Sequence, residues 1–221
     1  MSNRTLSAAM PCGAVLLAWA GIAAAATAPS AIAAQGNGHG AMACQGCHGA
    51  DGRGQAGSAF PRLAGLDAHY LQAQLDAFAS GTRDNPVMQP IAKALDDDER
   101  AEIAMYYAQL PTGAGAVPGK AGAGDAPGAR LALQGRWSQQ VPGCVQCHGP
   151  GGVGVGSGFP PLAGQPAAYL SAQLHAWKQG TRRNDPLQLM QHISSALSDA
   201  DIQAVSAWFA AQPARLPETA R

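Results

Sequence analysis

Apolar residues recur at helical spacing in two long stretches of this chain, and each stretch is echoed about 100 residues later. Tyr70, Leu71, Gln74, Leu75 and Phe78 share one face of a helix predicted over 68–80, with Asp67 as its N-cap and Gly81 as its stop. Tyr169, Leu170, Gln173, Leu174 and Trp177 repeat that face. A closing helix is predicted in each half behind a capping pattern, Asp96-Asp97-Asp98-Glu99 and Ser198-Asp199-Ala200-Asp201. Ile103, Tyr106, Tyr107 and Leu110 mark the first closing helix, and Ile202, Val205, Trp208 and Phe209 the second. No alternating apolar–polar stretch exceeds chance, so the predicted fold class is all-α.

The echo extends to individual landmarks. Phe60-Pro61-Arg62-Leu63-Ala64-Gly65, Gly81-Thr82-Arg83, Pro86 and Met88 are answered by Phe159-Pro160-Pro161-Leu162-Ala163-Gly164, Gly180-Thr181-Arg182, Pro186 and Met190. A period of that length is too long for a solenoid and suits two tandem domains. Residues 112–128 are rich in Gly, Ala and Pro without apolar periodicity, which is linker composition. The predicted domains are therefore 34–111 and 129–221. Before them, Arg4, the apolar run Ala14 to Ala26 and the small-residue site Ala31-Ile32-Ala33 read as a secretory signal peptide over 1–33. The run falls short of the roughly 20 residues that a membrane span requires.

Charge adds one feature. Residues 34–116 carry five Lys or Arg against nine Asp or Glu, whereas residues 117–221 carry eight against five. Halves of opposite sign form a dipole that can orient docking to a charged partner, or reflect drift in surface charge. No basic cluster is interleaved with aromatics, so nucleic-acid binding is not expected.

The candidate chemistry lies in Cys44-Gln45-Gly46-Cys47-His48 and Cys144-Val145-Gln146-Cys147-His148. Cys-x-x-Cys-His is the attachment motif of c-type haem. Two cysteines on one helical turn can each form a thioether to a haem vinyl group, and the next residue brings a ring nitrogen under the iron. The competing readings are a zinc site or a redox dithiol. Zinc sites bring two such pairs within roughly 20 residues, and a thioredoxin-like dithiol needs a βαβ context. Here Cys47 and Cys144 are 97 residues apart and no strand is predicted. The expectation is two covalently bound haem c groups, held by Cys44, Cys47, Cys144 and Cys147, with His48 and His148 as proximal iron ligands. Of five cysteines, only Cys12 is unused, and it falls in the predicted signal. A chain whose cysteines are consumed in this way fits the periplasmic side of a bacterial membrane. Each small, aromatic-poor half then gains the staple that domains of about 80 residues need.

The sixth ligands are expected to be Met88 and Met190, which lie 40 and 42 residues after their histidines, each behind a proline in a turn-rich stretch. A lone methionine usually packs a core, but the matched position in both repeats favours ligation. Met105 falls on the apolar face of the closing helix, and Met42 is too near Cys44. His192, two residues beyond Met190, is a rival for the second iron; His39, His69 and His175 are read as surface residues. Pro61 and Pro160 can each offer a carbonyl to the non-ligating nitrogen of the histidine. Arg83 and Arg182 either pair with haem propionates or are solvated, and Tyr70 and Tyr169 are read as packing on the haem ring.

In this ordered set, repeated twice over nearly the whole chain beyond the signal, the sequence resembles the diheme cytochrome c4 family of class I cytochromes c. The resemblance implies two small helical domains, one haem each with His/Met ligation, and electron transfer to a terminal oxidase on the periplasmic side; the expected donor is a membrane quinol-oxidising complex, and peripheral contact with the membrane is allowed. Two departures stand out. The second repeat has extra residues between Gly180 and Met190, and Arg62 stands where the second repeat has Pro161. Both are expected to separate the two haems electronically.

A methionine opposite histidine raises a haem's potential, and two axial ligands leave no position for substrate. The reading is an electron carrier, not an enzyme. The alternatives are the cytochrome subunit of a periplasmic dehydrogenase or a diheme peroxidase. A haem gas sensor would bring an output domain that is missing here.

Overall fold

The computed structural model describes residues 27–112 and 126–214. The first half runs α1 (Pro29–Gln35), α2 (Gln45–His48), α3 (Ala68–Ser80), α4 (Met88–Lys93) and α5 (Asp97–Gln109). The second repeats the order as α6 (Pro127–Leu133), α7 (Val145–His148), α8 (Ala167–Lys178), α9 (Leu189–Ala196) and α10 (Asp199–Ala210). The all-α reading holds, with one small addition. A two-residue antiparallel pair, β1 (Gly135–Arg136) and β2 (Val141–Pro142), closes a turn before the second motif and is too short to register as alternation.

Local chemistry places these elements. The Asp67 carboxylate accepts the Tyr70 N–H at 3.0 Å to start α3, and Gly81, at φ 78°, ends it in the left-handed conformation that costs glycine nothing. Full capping boxes open α5 (Asp96 with Glu99) and α10 (Ser198 with Asp201). In each half the closing helix packs on the long helix and on the entry helix. Ile32, Leu71, Leu95, Ile103 and Tyr107 form one core, and Leu131, Leu170, Leu197, Ile202 and Phe209 the other.

Two expected boundaries move. Ile32 and Ala33 are both fully buried in the first core. The folded first half therefore begins at α1, and a cleavage after Ala33 would cut through that helix. The pattern misled because small residues at a cleavage site and small residues packed in a helix look alike. At the other boundary, Gly128 belongs to α6: a Cβ there would meet the Ala204 carbonyl oxygen at 2.2 Å, so glycine allows α6 to cross close over α10. The first 26 residues, with Cys12 and most of the expected signal, lie outside the described residues, as do the linker segment 113–125 and the last seven residues. Among the described residues no helix is long and apolar enough to cross a membrane.

The halves meet across a pseudo-two-fold seam. Arg83 and Arg182 form an antiparallel bridge, flanked by backbone bonds from the Asp84 N–H to the Thr181 carbonyl (2.8 Å) and from the Arg183 N–H to the Thr82 carbonyl (2.7 Å). Chemically equivalent residues of the duplication thus face one another, as in a symmetric dimer.

Candidate functional site

Each motif forms a single helical turn. The N–H of His48 donates to the Cys44 carbonyl at 2.9 Å, and that of His148 to the Cys144 carbonyl at the same distance. This turn sets both cysteines and the histidine on one short frame. Both imidazoles are buried, with Phe60 and Phe159 standing edge-on at 6.5 and 6.1 Å between ring centroids.

The histidine nitrogens are assigned by their surroundings. Nδ1 of His48 lies 2.9 Å from the Pro61 carbonyl oxygen, and Nδ1 of His148 lies 2.7 Å from that of Pro160. A carbonyl only accepts, so Nδ1 carries the proton and Nε2 keeps its lone pair for a metal. Burial holds both imidazoles below their ordinary pKa, with the carbonyl bond partly opposing it, so both are neutral at neutral pH. The loop that supplies the carbonyl is pinned from behind. Gly52 (φ 68°) and Gly152 (φ 80°) bond to the Leu63–Ala64 and Leu162–Ala163 amides, and a Cβ at either would press into the ring of Tyr107 or Phe209 at 2.8 and 2.5 Å.

The thiols do not suit the competing readings. Burial pushes the Cys144 thiol up to about 11 and raises that of Cys44, the opposite of the lowered thiol pKa of a redox dithiol. Among the described residues no cluster of three His, Cys, Asp or Glu side chains is arranged to hold a metal ion. A neutral, oriented imidazole beside two cysteine side chains on one turn fits covalent haem.

Met88 is the first residue of α4 and Met190 the second of α9; both are half-buried. The Met88 N–H donates to Asn85 Oδ1 at 2.8 Å, and the Met190 N–H to Asp185 Oδ2 at 2.6 Å. These caps occupy matched places, each just before the proline, yet one is neutral and the other a carboxylate. The rivals recede. His192 is exposed, as are His39, His69 and Met42, while His175 is half-buried. Met105 is also exposed, against the expectation that it packs inward.

For Arg83 and Arg182 one of the two expected alternatives falls away. Neither is solvated: they are 6% and 4% exposed, in the seam between the halves. Arg83 donates to Gln74 (3.1 Å), Gln173 (2.6 Å) and Tyr169 (3.0 Å), and lies over the Phe78 ring at 4.4 Å. Arg182 donates to Gln173 (3.0 Å), Gln74 (2.9 Å) and Asn184 (3.0 Å), and lies over Trp177 at 3.9 Å. The Tyr70 and Tyr169 hydroxyls meet in the same hub, where the arginines draw the Tyr169 phenol below its ordinary pKa against the effect of burial. Among the described residues neither arginine forms an ion pair with a carboxylate. Buried guanidinium groups held only by neutral partners call for an anion, and a ligand with carboxylate arms, such as haem, fits that demand. The signal in the sequence was the polar stripe of Tyr70 with Gln74, and Tyr169 with Gln173, at i, i+4 on faces otherwise apolar.

The comparisons agree with this geometry. The cytochrome c family model matches residues 33–111 and 126–212. The chain is 56% identical over 170 residues to a thiosulfate dehydrogenase electron acceptor from Stutzerimonas stutzeri (strain A1501), covering 77% of this chain and 79% of that one. A solved thiosulfate dehydrogenase from Marichromatium purpuratum superposes with a TM-score of 0.76 at 41% identity, covering 84% of this chain but only 40% of that chain. Reduced recombinant cytochrome c4 from Pseudomonas stutzeri gives a TM-score of 0.71 at 32% identity, over 85% of this chain and 98% of the other. The chain belongs to the cytochrome c family: it is a diheme, c4-type electron carrier with two covalently bound haem c groups, attached through the two Cys-x-x-Cys-His motifs.

Proposed function

We propose that this chain is a periplasmic electron acceptor for a thiosulfate dehydrogenase, taking single electrons from that enzyme and passing them onward. The observation that carries the partner is the match to proteins of that description over both halves, one as a separate acceptor and one as part of a longer thiosulfate dehydrogenase chain. This favours the dehydrogenase alternative over direct service between a quinol-oxidising complex and a terminal oxidase, for which only the c4 resemblance speaks. Export to the periplasm rests on the predicted signal and on the compartment in which such attachment occurs.

In this reading Cys44 and Cys47 hold one haem and Cys144 and Cys147 the other, with His48 and Met88, and His148 and Met190, as the axial pairs. Each haem supplies a one-electron iron couple. The chain does the rest. The Pro61 and Pro160 carbonyls fix the imidazole orientations, and the packing around the two histidines keeps both imidazoles buried. The Arg83–Arg182 hub joins the halves and sets the spacing of the two sites.

Anaerobic mixing of the haem-loaded protein with a thiosulfate dehydrogenase and thiosulfate tests the partner. The expected result is rapid reduction of both haems that needs the enzyme and the substrate together. Reduction only by a quinol:cytochrome c reductase, with none through the dehydrogenase, would reject the assignment.

A further inference from the structure

The histidine-to-carbonyl bond has different backing in the two halves. In the first, the Pro61 carbonyl that receives His48 belongs to the same peptide unit as the Arg62 N–H. That N–H donates to Gln165 Oε1 at 2.9 Å, and Gln165 Nε2 returns a bond to the Arg62 carbonyl at 3.0 Å. Gln165 comes from the second half, 103 residues along the chain, and is buried. The Arg62 guanidinium closes the same contact, donating to the Ala64 carbonyl (2.8 Å) and across the seam to that of Ala163 (3.2 Å). In the second half the residue after Pro160 is Pro161, which has no N–H, and the place matching Gln165 is held in the first by Leu66. The pseudo-symmetry therefore fails at one chemically active point.

Hydrogen bonds in series polarise one another, more so where water is excluded. An acceptor on the N–H end of a peptide unit makes its carbonyl oxygen a stronger acceptor. That oxygen then draws more strongly on the Nδ1 proton, leaving Nε2 more basic and the ferric state of a bound iron better stabilised. The first half has this relay and the second cannot.

We propose that Gln165 is a positioning residue for the first haem, acting from the opposite domain through the Arg62 N–H, the Pro61 carbonyl and His48 to hold that haem's potential down. The inference rests on His48 as the proximal ligand. It makes the first haem sensitive to how tightly the two halves are closed, and leaves the second insensitive.

Potentiometry on the haem-loaded full chain tests it, with the two waves assigned by the hyperfine-shifted haem methyl resonances in the proton NMR spectrum. Gln165→Leu installs the residue found at the matching place and removes the acceptor without changing charge. The first haem's potential should rise while the second stays in place. Gln165→Glu keeps an acceptor and should produce no rise. An unmoved first wave in Gln165→Leu, an equal shift of both waves, or the same rise in both variants would overturn the proposal. A wild-type first haem without histidine ligation in those spectra would instead overturn the ligation reading.

Discussion

Met88 lies two residues beyond Pro86 and opens its helix on a neutral Asn85 cap, whereas Met190 lies four beyond Pro186 and takes its cap from the Asp185 carboxylate. The longer second loop places Gln188 in the left-handed region (φ 54°) and leaves Leu187 77% exposed. On the proximal side the order of complexity reverses. The first half backs its histidine carbonyl with an inter-domain bond, and the second ends that line at a proline. The attachment turns and the Arg–Gln–Tyr hub, by contrast, are nearly superimposable in chemistry. Duplication thus preserved the attachment turns and the seam that joins the halves, and let the backing of each histidine and the loop before each methionine diverge. Two one-electron sites whose potentials differ are reduced in a defined order at equilibrium.

The severest break is removal of one attachment site. Cys144→Ala with Cys147→Ala should lower the mass by one haem and melt most of the second half's helix, since a domain this small depends on its staple. Mass spectrometry and far-ultraviolet circular dichroism read both effects. Retention of full helicity would mean that the protein core alone holds that half. A smaller effect tests the symmetric hub. Arg83→Ala and Arg182→Ala should each cost about 2–3 kcal/mol, because each strands buried glutamine and tyrosine groups. Near-equal losses in denaturant titration are expected, and a several-fold difference would show that the hub is symmetric in shape only. The finest change concerns the caps. Asp185→Asn gives the second loop the first loop's neutral cap and removes a negative charge beside the Met190 amide. The second haem's potential should rise by about 30 mV, a three-fold change in a one-electron equilibrium, with the first unmoved. No movement of the second wave would mean that solvent screens Asp185 completely.

Much of this was legible in the sequence because it is local or repeated. Helix α3 begins and ends where Asp67 and Gly81 place it, and the histidine-to-carbonyl bonds lie where the repeated Phe-Pro pairs predict them. The seam was not legible. Arg83, Tyr169, Gln74 and Arg182 meet across separations near 100 residues, and nothing in a helical period tells a solvated arginine from one pressed against its own duplicate. The role of Gln165 was hidden for the same reason. Arg62 stood out as a departure from Pro161, but its partner lies in the other domain. The start of the first half was missed because Ile32 and Ala33, read within a small-residue run, carry no mark of burial.

The most direct test is an optical redox titration of the haem-loaded protein, with spectra recorded across each wave. Two matched sites, each closed by histidine and methionine and tuned apart, predict two resolved one-electron waves at high potential, both from low-spin haems with the methionine-ligated spectrum. A high-spin haem, or one at low potential, would show an open or replaced sixth position at Met88 or Met190 and contradict the account of a pure carrier.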